Sequence, residues 1–581
     1  MTRIGKRRII LIAVLGAVII ACLAVFLCLY FTVWKVEMDM AAEQVEDGQV
    51  IRVGWDTDKQ VSKVTIEVSH EGTAVTKVTL TGSGQILKGE CDVDAFYGRQ
   101  TVKVKVTKGV YTATQEETVE LSAPEYNIAP LTSTMPVTIF SAALTEVTAD
   151  YTIPTFVWFT RSSAWDYSAL PENVYTMPIA SPDEITGGTG RNTIFTRTAA
   201  WVKELYDINP DSVFHLYYTD LYCNGWLQAT VANGIPEENY DLTLISDGAI
   251  SFQMFNRHFN NEDDAANEQE YETMKETYAT LLEQISAAGK YENTDDFAVS
   301  WDDIGDYAYI MCREYDNISW WLTRVSGTLA TANDDMYAEV SEAVDAGQIR
   351  VMDLGTLLAA MTEDEQAQLH ALYNFSDEMF EEAQSSGKKI MLILGTYDEN
   401  EWFFDDYVKA IMDCYGDGYV YYYKGHPRNP TTAEKNEHLQ ELGLTDVEST
   451  IPAEFILFFT PDIYVTGYAS STFVSVDEDK ACLVWVNYNT DGTITDINGS
   501  IGRREDLNEP YIYDVQGFIS PLKTTDEDYG CLVPDGSSDT YFLIQYNSAD
   551  CDLAVYDATT SAYTYYILSE DGTLAEYLPA E

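Results

Sequence analysis

The sequence predicts an α/β protein made of two Rossmann-like lobes with a cleft between them, preceded by a small antiparallel β-sandwich and an apolar N-terminal helix. Three observations carry this expectation. Short β-branched apolar runs alternate with segments of helical spacing from about 137 to 248 and again from 388 to 467, the βαβ rhythm of a parallel, doubly wound sheet. Between 50 and 122 apolar and polar residues alternate one by one, with breaks at glycines, as in half-buried antiparallel strands. The chain has 581 residues, 46% of them hydrophobic, which is enough for about three or four cores of ordinary size.

The first element is the apolar helix. "MTRIGKRR" holds four cations, and residues 9–34, "IILIAVLGAVIIACLAVFLCLYFTVW", hold no charge. That run exceeds the ~20 residues needed to cross a bilayer. "IIAC" at 19–22 fits a lipoprotein cleavage box, but the apolar run continues past Cys22, unlike the short apolar core of a signal. The reading is an uncleaved single-pass anchor over 1–38. Cations before it and "EMDMAAEQVEDG" after it place the N-terminus in the cytoplasm and the rest of the chain extracytoplasmic at the cell membrane.

Residues 39–122 follow as the sandwich. "KVTIEVSH", "TAVTKVTLTG" and "TVKVKVTKGVYTATQEETVEL" have the spacing of an immunoglobulin-like domain. "SAPEYNIAPLTSTMP", with three prolines, reads as a linker, assigned to 123–135. The first lobe then covers 136–387: "VTIFSAAL", "PTFVWFT", "SVFHLYYT" and "DLTLISDG" read as buried strands, and "NTIFTRTAAWVKELYDI" as a helix. A mostly helical insert runs from 263 to 387. The second lobe, 388–522, repeats the rhythm with strand "KKIMLILGT", helix "FFDDYVKAIMDCY", strand "GYVYYYKG", helices "EKNEHLQELG" and "PAEFILFF", and strand "DIYVTG". A tyrosine-rich β tail, 523–581, has no functional reading.

Composition excludes some functions. Lys and Arg number 34 against 94 Asp and Glu, a formal charge of −60. That field repels nucleic acid and anionic surfaces, and any anionic ligand needs a local cationic or dipolar pocket. Nine cysteines are scattered without a Cys-x-x-Cys pair, which suggests neither a zinc site nor a complete disulfide framework. Pairing of Cys531 with Cys551 stays open.

The chemistry-bearing residues sit at strand ends. "KGHP" (424–427) ends the strand "GYVYYYKG", and ligands of open α/β sheets bind at strand carboxyl ends. Gly425 permits close backbone approach, Pro427 stops the strand, and His426 is left to donate to an anionic oxygen. A turn histidine without a task is the plain alternative. Ser470 and Ser471 follow the strand "DIYVTG", where hydroxyls can cap a helix or bind phosphate. Glu454 opens the helix after Pro452 and is either a first-turn carboxylate or a ribose ligand. Together these residues would form a nucleotide-monophosphate site. From the other lobe, Asp247 precedes Gly248 at a strand end. It is either a turn residue or a general base on a hydroxyl.

In this order, Asp-Gly (247–248), Lys-Gly-His-Pro (424–427), Ile-Pro-x-Glu (451–454), Pro-Asp (461–462) and Ala-Ser-Ser (469–471), the chain resembles the bacterial sialyltransferases of glycosyltransferase family 80, the Pasteurella and Photobacterium type. "MTEDEQAQLHALYNFSDE" (361–378) and its distance to "ILGT" resemble the family's segment before its second lobe. The resemblance covers roughly 136–515 and implies a GT-B fold. It also implies metal-independent, inverting transfer from CMP-sialic acid to a glycan hydroxyl, without a cofactor. Asp247 would be the general base. His426, with Ser470 and Ser471, would stabilise the departing phosphate, Glu454 would hold the ribose, and Lys424 and Gly425 would flank the cytosine. Trp402 and Arg428 are the acceptor-side candidates. The chain departs from the family's pattern at Ser246, where an acid is usual, around Asp220, where a histidine is common, and at Trp402, three residues late. The alternatives are transfer of another CMP-activated nonulosonic acid or Kdo, and an inactive cell-surface glycan-binding protein on the same fold.

Overall fold

The computed structural model describes most of residues 3–472, apart from short stretches that include 161–164, 185–189, 292–296, 324–333, 396–404, 427–428 and 468–471. Beyond 472 it describes seven strands. The chain divides into two compact units, Met1–Pro124 with Trp201–Ser212, and Glu125–Ala200 with Val213–Glu581.

In the first unit the expected anchor falls on one 27-residue helix, Arg3–Leu29. Among the described residues no helix is long and apolar enough to cross a membrane. The transmembrane anchor is therefore not supported.

Five strands follow: β1 (Met38–Gln44), β2 (Val50–His70), β3 (Thr73–Asp94), β4 (Gly98–Lys108) and β5 (Tyr111–Leu121). They form one antiparallel sheet in the order β1-β2-β4-β5, with β3 also on β2. The alternation works as read: Val64, Ile66 and Val68 of β2 and Val102, Val104 and Val106 of β4 are buried, each contributing about 1.5–3 kcal/mol. Glu71 and Gly72 join β2 to β3 with φ of 46° and 83°, the mirror-image turn that matches strand twist. The immunoglobulin-like label is not confirmed. β2 and β3 run for 21 and 22 residues, straight through positions read as breaks. They bend at register shifts between Asp56 and Lys63 and stay in one hydrogen-bonded sheet.

The second unit contains two parallel sheets. The first comprises β6 (Glu125–Leu131), β7 (Thr155–Phe159), β8 (Val174–Thr176), β9 (Val213–Thr219), β10 (Tyr240–Ile245), β11 (Ile318–Leu322) and β12 (Ile349–Val351). Its order is β12-β11-β10-β9-β6-β7-β8, so the topology reverses between β6 and β9, where ligands of such sheets bind. Two expectations are corrected here. The linker 123–135 contains β6, an interior strand buried over six of its seven residues. Flanking prolines disguised it, and Pro130 lies beyond Ile128, the last residue of β6 registered on β9. "VTIFSAAL" belongs to a helix, Thr134–Ala142, eight of whose nine residues are buried; without an exposed face, periodicity does not separate such a helix from a buried strand. Within the mostly helical stretch 263–387, β11 and β12 extend the sheet.

The second sheet comprises β13 (Lys389–Leu394), β14 (Tyr419–Lys424), β15 (Thr445–Val447) and β16 (Ile463–Gly467), in the order β15-β14-β13-β16. The helix expected over 403–415 lies largely outside the described residues. An apolar cluster reaches across both lobes. Phe455, on the helix Ala453–Phe459, packs with Tyr373 at 4.7 Å, and Phe459 with His370 at 4.2 Å. This ties a helix of the second lobe into the core beneath the first sheet. In the tail, β17 (Cys482–Tyr488) pairs with β18 (Ile494–Ile501). Five antiparallel strands from Gly530 to Tyr577 form a meander that includes the runs read as strands.

Cross-strand pairing in the first sheet gives a pH-dependent element. His215 on β9 bonds Asp241 on β10 through Nδ1 at 2.5 Å and Glu125 on β6 through Nε2 at 3.2 Å. The Asp241 hydrogen bond, partly offset by burial, raises the imidazole above its ordinary value. The raised value makes this stabilisation complete below the ordinary imidazole pKa and lost as pH rises through the folded one. Urea unfolding of wild type and His215→Gln should therefore show a stability gap at pH 6 that closes by pH 9. The carboxylates are half exposed, so the gap should also shrink with salt.

Candidate active site

The carboxyl ends of β6, β9 and β10 and those of β13 and β14 supply the walls of one cleft of about 590 Å³. At the β6/β9 reversal the Thr219 hydroxyl accepts the Thr132 N–H at 3.1 Å and donates to the Thr132 carbonyl at 2.9 Å. The chain then turns through Ser133, at φ 67°, into the helix Thr134–Ala142. A non-glycine residue held there is a strained position of the kind that collects at functional sites. Thr132, Ser133, Thr134 and Met135 all line the cleft, which brings the positive end of that helix dipole to it.

Asp247 stands on the same wall, half-buried, one residue before Gly248 at φ 72°. Its backbone N–H is shared between Ser251 Oγ at 2.9 Å and Asp220 Oδ1 at 3.3 Å. The Gly248 N–H donates to Ser246 Oγ at 3.1 Å. Asp220 is buried, and its Oδ2 accepts the Trp320 indole N–H at 3.1 Å. Burial pushes the Asp220 carboxyl up to about 6, against hydrogen bonds from Ser251, Trp320 and the backbone that favour its charged form. Arg191 also lines the cleft, its guanidinium 4.1 Å from the centre of the Tyr222 ring, a cation–π contact that holds positive charge at the cleft of an acidic chain.

On the opposite wall, the Lys424 carbonyl accepts the Gly395 N–H at 2.9 Å, and its buried Nζ donates to the Ser449 carbonyl at 3.1 Å. A Cβ at Gly425 would lie 3.2 Å from the Asn429 carbonyl and from Thr431 Oγ1, so a larger residue would have to push the turn open by a few tenths of an ångström. The His426 carbonyl accepts the Asn429 N–H at 2.8 Å, fixing the turn that presents the half-buried imidazole. Glu454 is buried one residue inside the helix that Pro452 introduces. Burial raises its carboxyl, against its own N–H, the Thr472 hydroxyl and the charge of Lys424. Beside this wall β16 ends at Gly467, which at φ 117° approaches β13 so closely that a Cβ would lie 2.3 Å from the Leu394 carbonyl oxygen. Gly467→Ala should cost about 2 kcal/mol or more, from φ strain and overpacking together. A lowered urea midpoint would show it, and an unchanged midpoint would contradict it.

The structure thus brings five of the sequence-predicted residues, Asp247, Lys424, Gly425, His426 and Glu454, to one cleft. Ser470, Ser471, Trp402 and Arg428 lie outside the described residues. Sequence reasoning missed Arg191, Tyr222 and the stretch Thr132–Met135. The run Thr-Ser-Thr after "NIAPL" was the available signal for the last of these, hidden by the linker reading.

Two parallel sheets whose strand ends share one cleft define a two-lobed α/β fold. Among solved structures the chain is similar to a sialyltransferase from Photobacterium damsela, at 13% identity and a TM-score of 0.46, covering 76% of this chain and 90% of that one. It is also similar to the 2,6-sialyltransferase of Photobacterium sp. JT-ISH-224 in complex with CMP and lactose, at 13% identity and 0.45, covering 77% and 86%. A third is S. aureus MnaA with UDP, at 9% identity and 0.31, covering 60% and 75%. No family model and no curated protein matches the chain.

Proposed function

We propose that this chain is an inverting, metal-independent sialyltransferase that moves sialic acid from CMP-sialic acid to a hydroxyl of a glycan acceptor. The observation that carries the reading is the meeting of Asp247 with Lys424, Gly425, His426 and Glu454 in one cleft. One wall supplies a carboxylate suited to a hydroxyl proton. The other supplies a close-packed turn at Gly425, an imidazole and a buried carboxylate suited to a nucleotide monophosphate.

In this reading Glu454 holds the ribose hydroxyls, and the Lys424–Gly425 backbone lies along the cytosine. The acceptor oxygen attacks the anomeric carbon as Asp247 takes its proton. The bond to the phosphate oxygen breaks, and its electron pair stays on CMP. His426, with Ser470 and Ser471, meets the charge that develops there, where positioned donors contribute most. Attack from the Asp247 side and departure toward His426 is a single displacement, hence inversion. Arg191 and the helix end at Thr134 supply the local positive potential that a donor carrying a phosphate and a carboxylate requires.

The nucleotide is the first test. CMP at a hundredfold excess over its dissociation constant should stabilise the protein by about 2–3 kcal/mol, unchanged by EDTA, in a denaturation series run beside UDP and GDP. UDP matching CMP would remove the cytidine assignment. Transfer to lactose from a panel of CMP-activated sugars, Kdo and other nonulosonic acids included, then identifies the sugar.

A further inference from the structure

We propose that Asp220 is a positioning residue for Asp247, a buried carboxylate that fixes the β10 strand-end turn so that the Asp247 side chain faces the cleft in its working orientation. The inference rests on the transferase reading of Asp247. Asp220 and Asp247 end adjacent parallel strands, β9 and β10, whose last registered pair is Thr219 with Ile245. Asp220 is 3% exposed, too enclosed to reach a substrate, yet both its oxygens are used. Oδ1 accepts the Asp247 N–H at 3.3 Å, and Oδ2 accepts the Trp320 indole N–H, from the next strand β11, at 3.1 Å. Ser251, in the helix Ala249–Phe259 that begins after Gly248, bonds Asp220 and accepts the same Asp247 N–H at 2.9 Å. The Leu221 N–H is a further donor to the carboxyl. A buried carboxylate without a cationic partner persists where its oxygens are satisfied by hydrogen bonds. Here the donors come from three elements, and the group they organise is the candidate base.

The arrangement needs the charged form, which accepts from every partner. Protonation turns one oxygen into a donor and sets it against an N–H. Burial holds the carboxyl at about 6, so the support is present above that pH and lost below it. The other charged groups on the elements around it are accounted for. Asp247 shares its backbone N–H with it, and Arg191 lies over Tyr222. Asp306, on the turn whose Gly305 packs against Leu221, is bonded by Arg257 at 3.1 Å and His258 at 2.9 Å.

The test is Asp220→Asn in the full-length protein, whose amide keeps the shape but has one acceptor oxygen for two N–H donors, so either the Trp320 indole or the Asp247 N–H is set against its NH₂ group. The expected result is a fall in kcat of up to about 10²-fold, as for a small misplacement of a catalytic group, with CMP affinity unchanged. The acid limb of kcat near pH 6 should vanish from the variant. The Trp320 indole N–H resonance, assigned through Trp320→Phe, should titrate with pH in the wild type and not in Asp220→Asn. Wild-type kcat with an unchanged acid limb in the variant, or an indole resonance that does not move between pH 5 and 8, overturns the proposal. If the wild type binds CMP but turns over no donor, the transfer reading fails instead. The Asp247 amide then decides: faster hydrogen exchange in Asp220→Asn upholds the positioning role, and equal protection in both proteins overturns it.

Discussion

Asp247→Ala should abolish transfer to an acceptor such as lactose while leaving CMP affinity nearly unchanged. The carboxylate stands on the first-lobe wall, whereas Lys424, Gly425, His426 and Glu454 stand on the other; in the proposed mechanism it touches only the acceptor hydroxyl. Loss of a positioned general base costs about 10²- to 10⁴-fold in rate. Asp247→Asn sharpens the test. The backbone of Asp247 is held by Ser251 and Asp220 through its N–H, and the turn's φ requirement is met by Gly248, so the amide preserves the geometry. It does not accept a proton at neutral pH. An Asn variant with full activity would make Asp247 a turn residue and remove the base from the mechanism.

His426→Ala should damage turnover and CMP binding together, since the proposed partner of the imidazole is the phosphate in both ground state and transition state. Loss of one oxyanion-type donor costs about 10²- to 10³-fold in kcat, and a weakened CMP complex should appear as a smaller stabilisation by the nucleotide. His426→Asn returns a neutral donor to the same turn, whose shape rests on the bond from the Asn429 N–H to the His426 carbonyl and not on the ring. Partial recovery is therefore expected. If His426→Ala leaves CMP-induced stabilisation at the wild-type value, the histidine does not bind phosphate. The two variants separate the walls of the cleft: one loses rate alone, the other rate and nucleotide affinity.

Much of this was legible in the chain because the signals are local. "GYVYYYKG" is a buried strand by composition and "KGHP" ends it by covalent geometry, so Lys424, Gly425 and His426 could be placed at a strand end without any tertiary information. "DLTLISDG" places Asp247 in the same way, and Pro452 followed by Glu454 marks a helix start. The alternation in β2 and β4 likewise declared which valines are buried, because a strand's side chains change face at every residue. The local signals failed where burial is complete. Thr134–Ala142 is buried nearly all round and has lost the periodicity that distinguishes helix from strand, and β6 carries Pro130 at a position that only its neighbours make tolerable.

By itself the sequence determined the α/β class, the two parallel units, the antiparallel domain before them and five residues of the cleft. Each of these depends on contacts or conformational limits within a few residues along the chain. Only the tertiary structure decided that β6 is an interior strand of the first sheet and that β11 and β12 extend that sheet. It alone placed Arg191 and the Thr134 helix end at the cleft, and Asp220 beneath Asp247. The bond from the Trp320 indole to Asp220 joins residues 100 positions apart, and that from the Asp247 N–H to Asp220 spans 27. Such pairs leave no periodic trace in the sequence, because their partners meet only once strands with long connections between them have taken their places in one sheet.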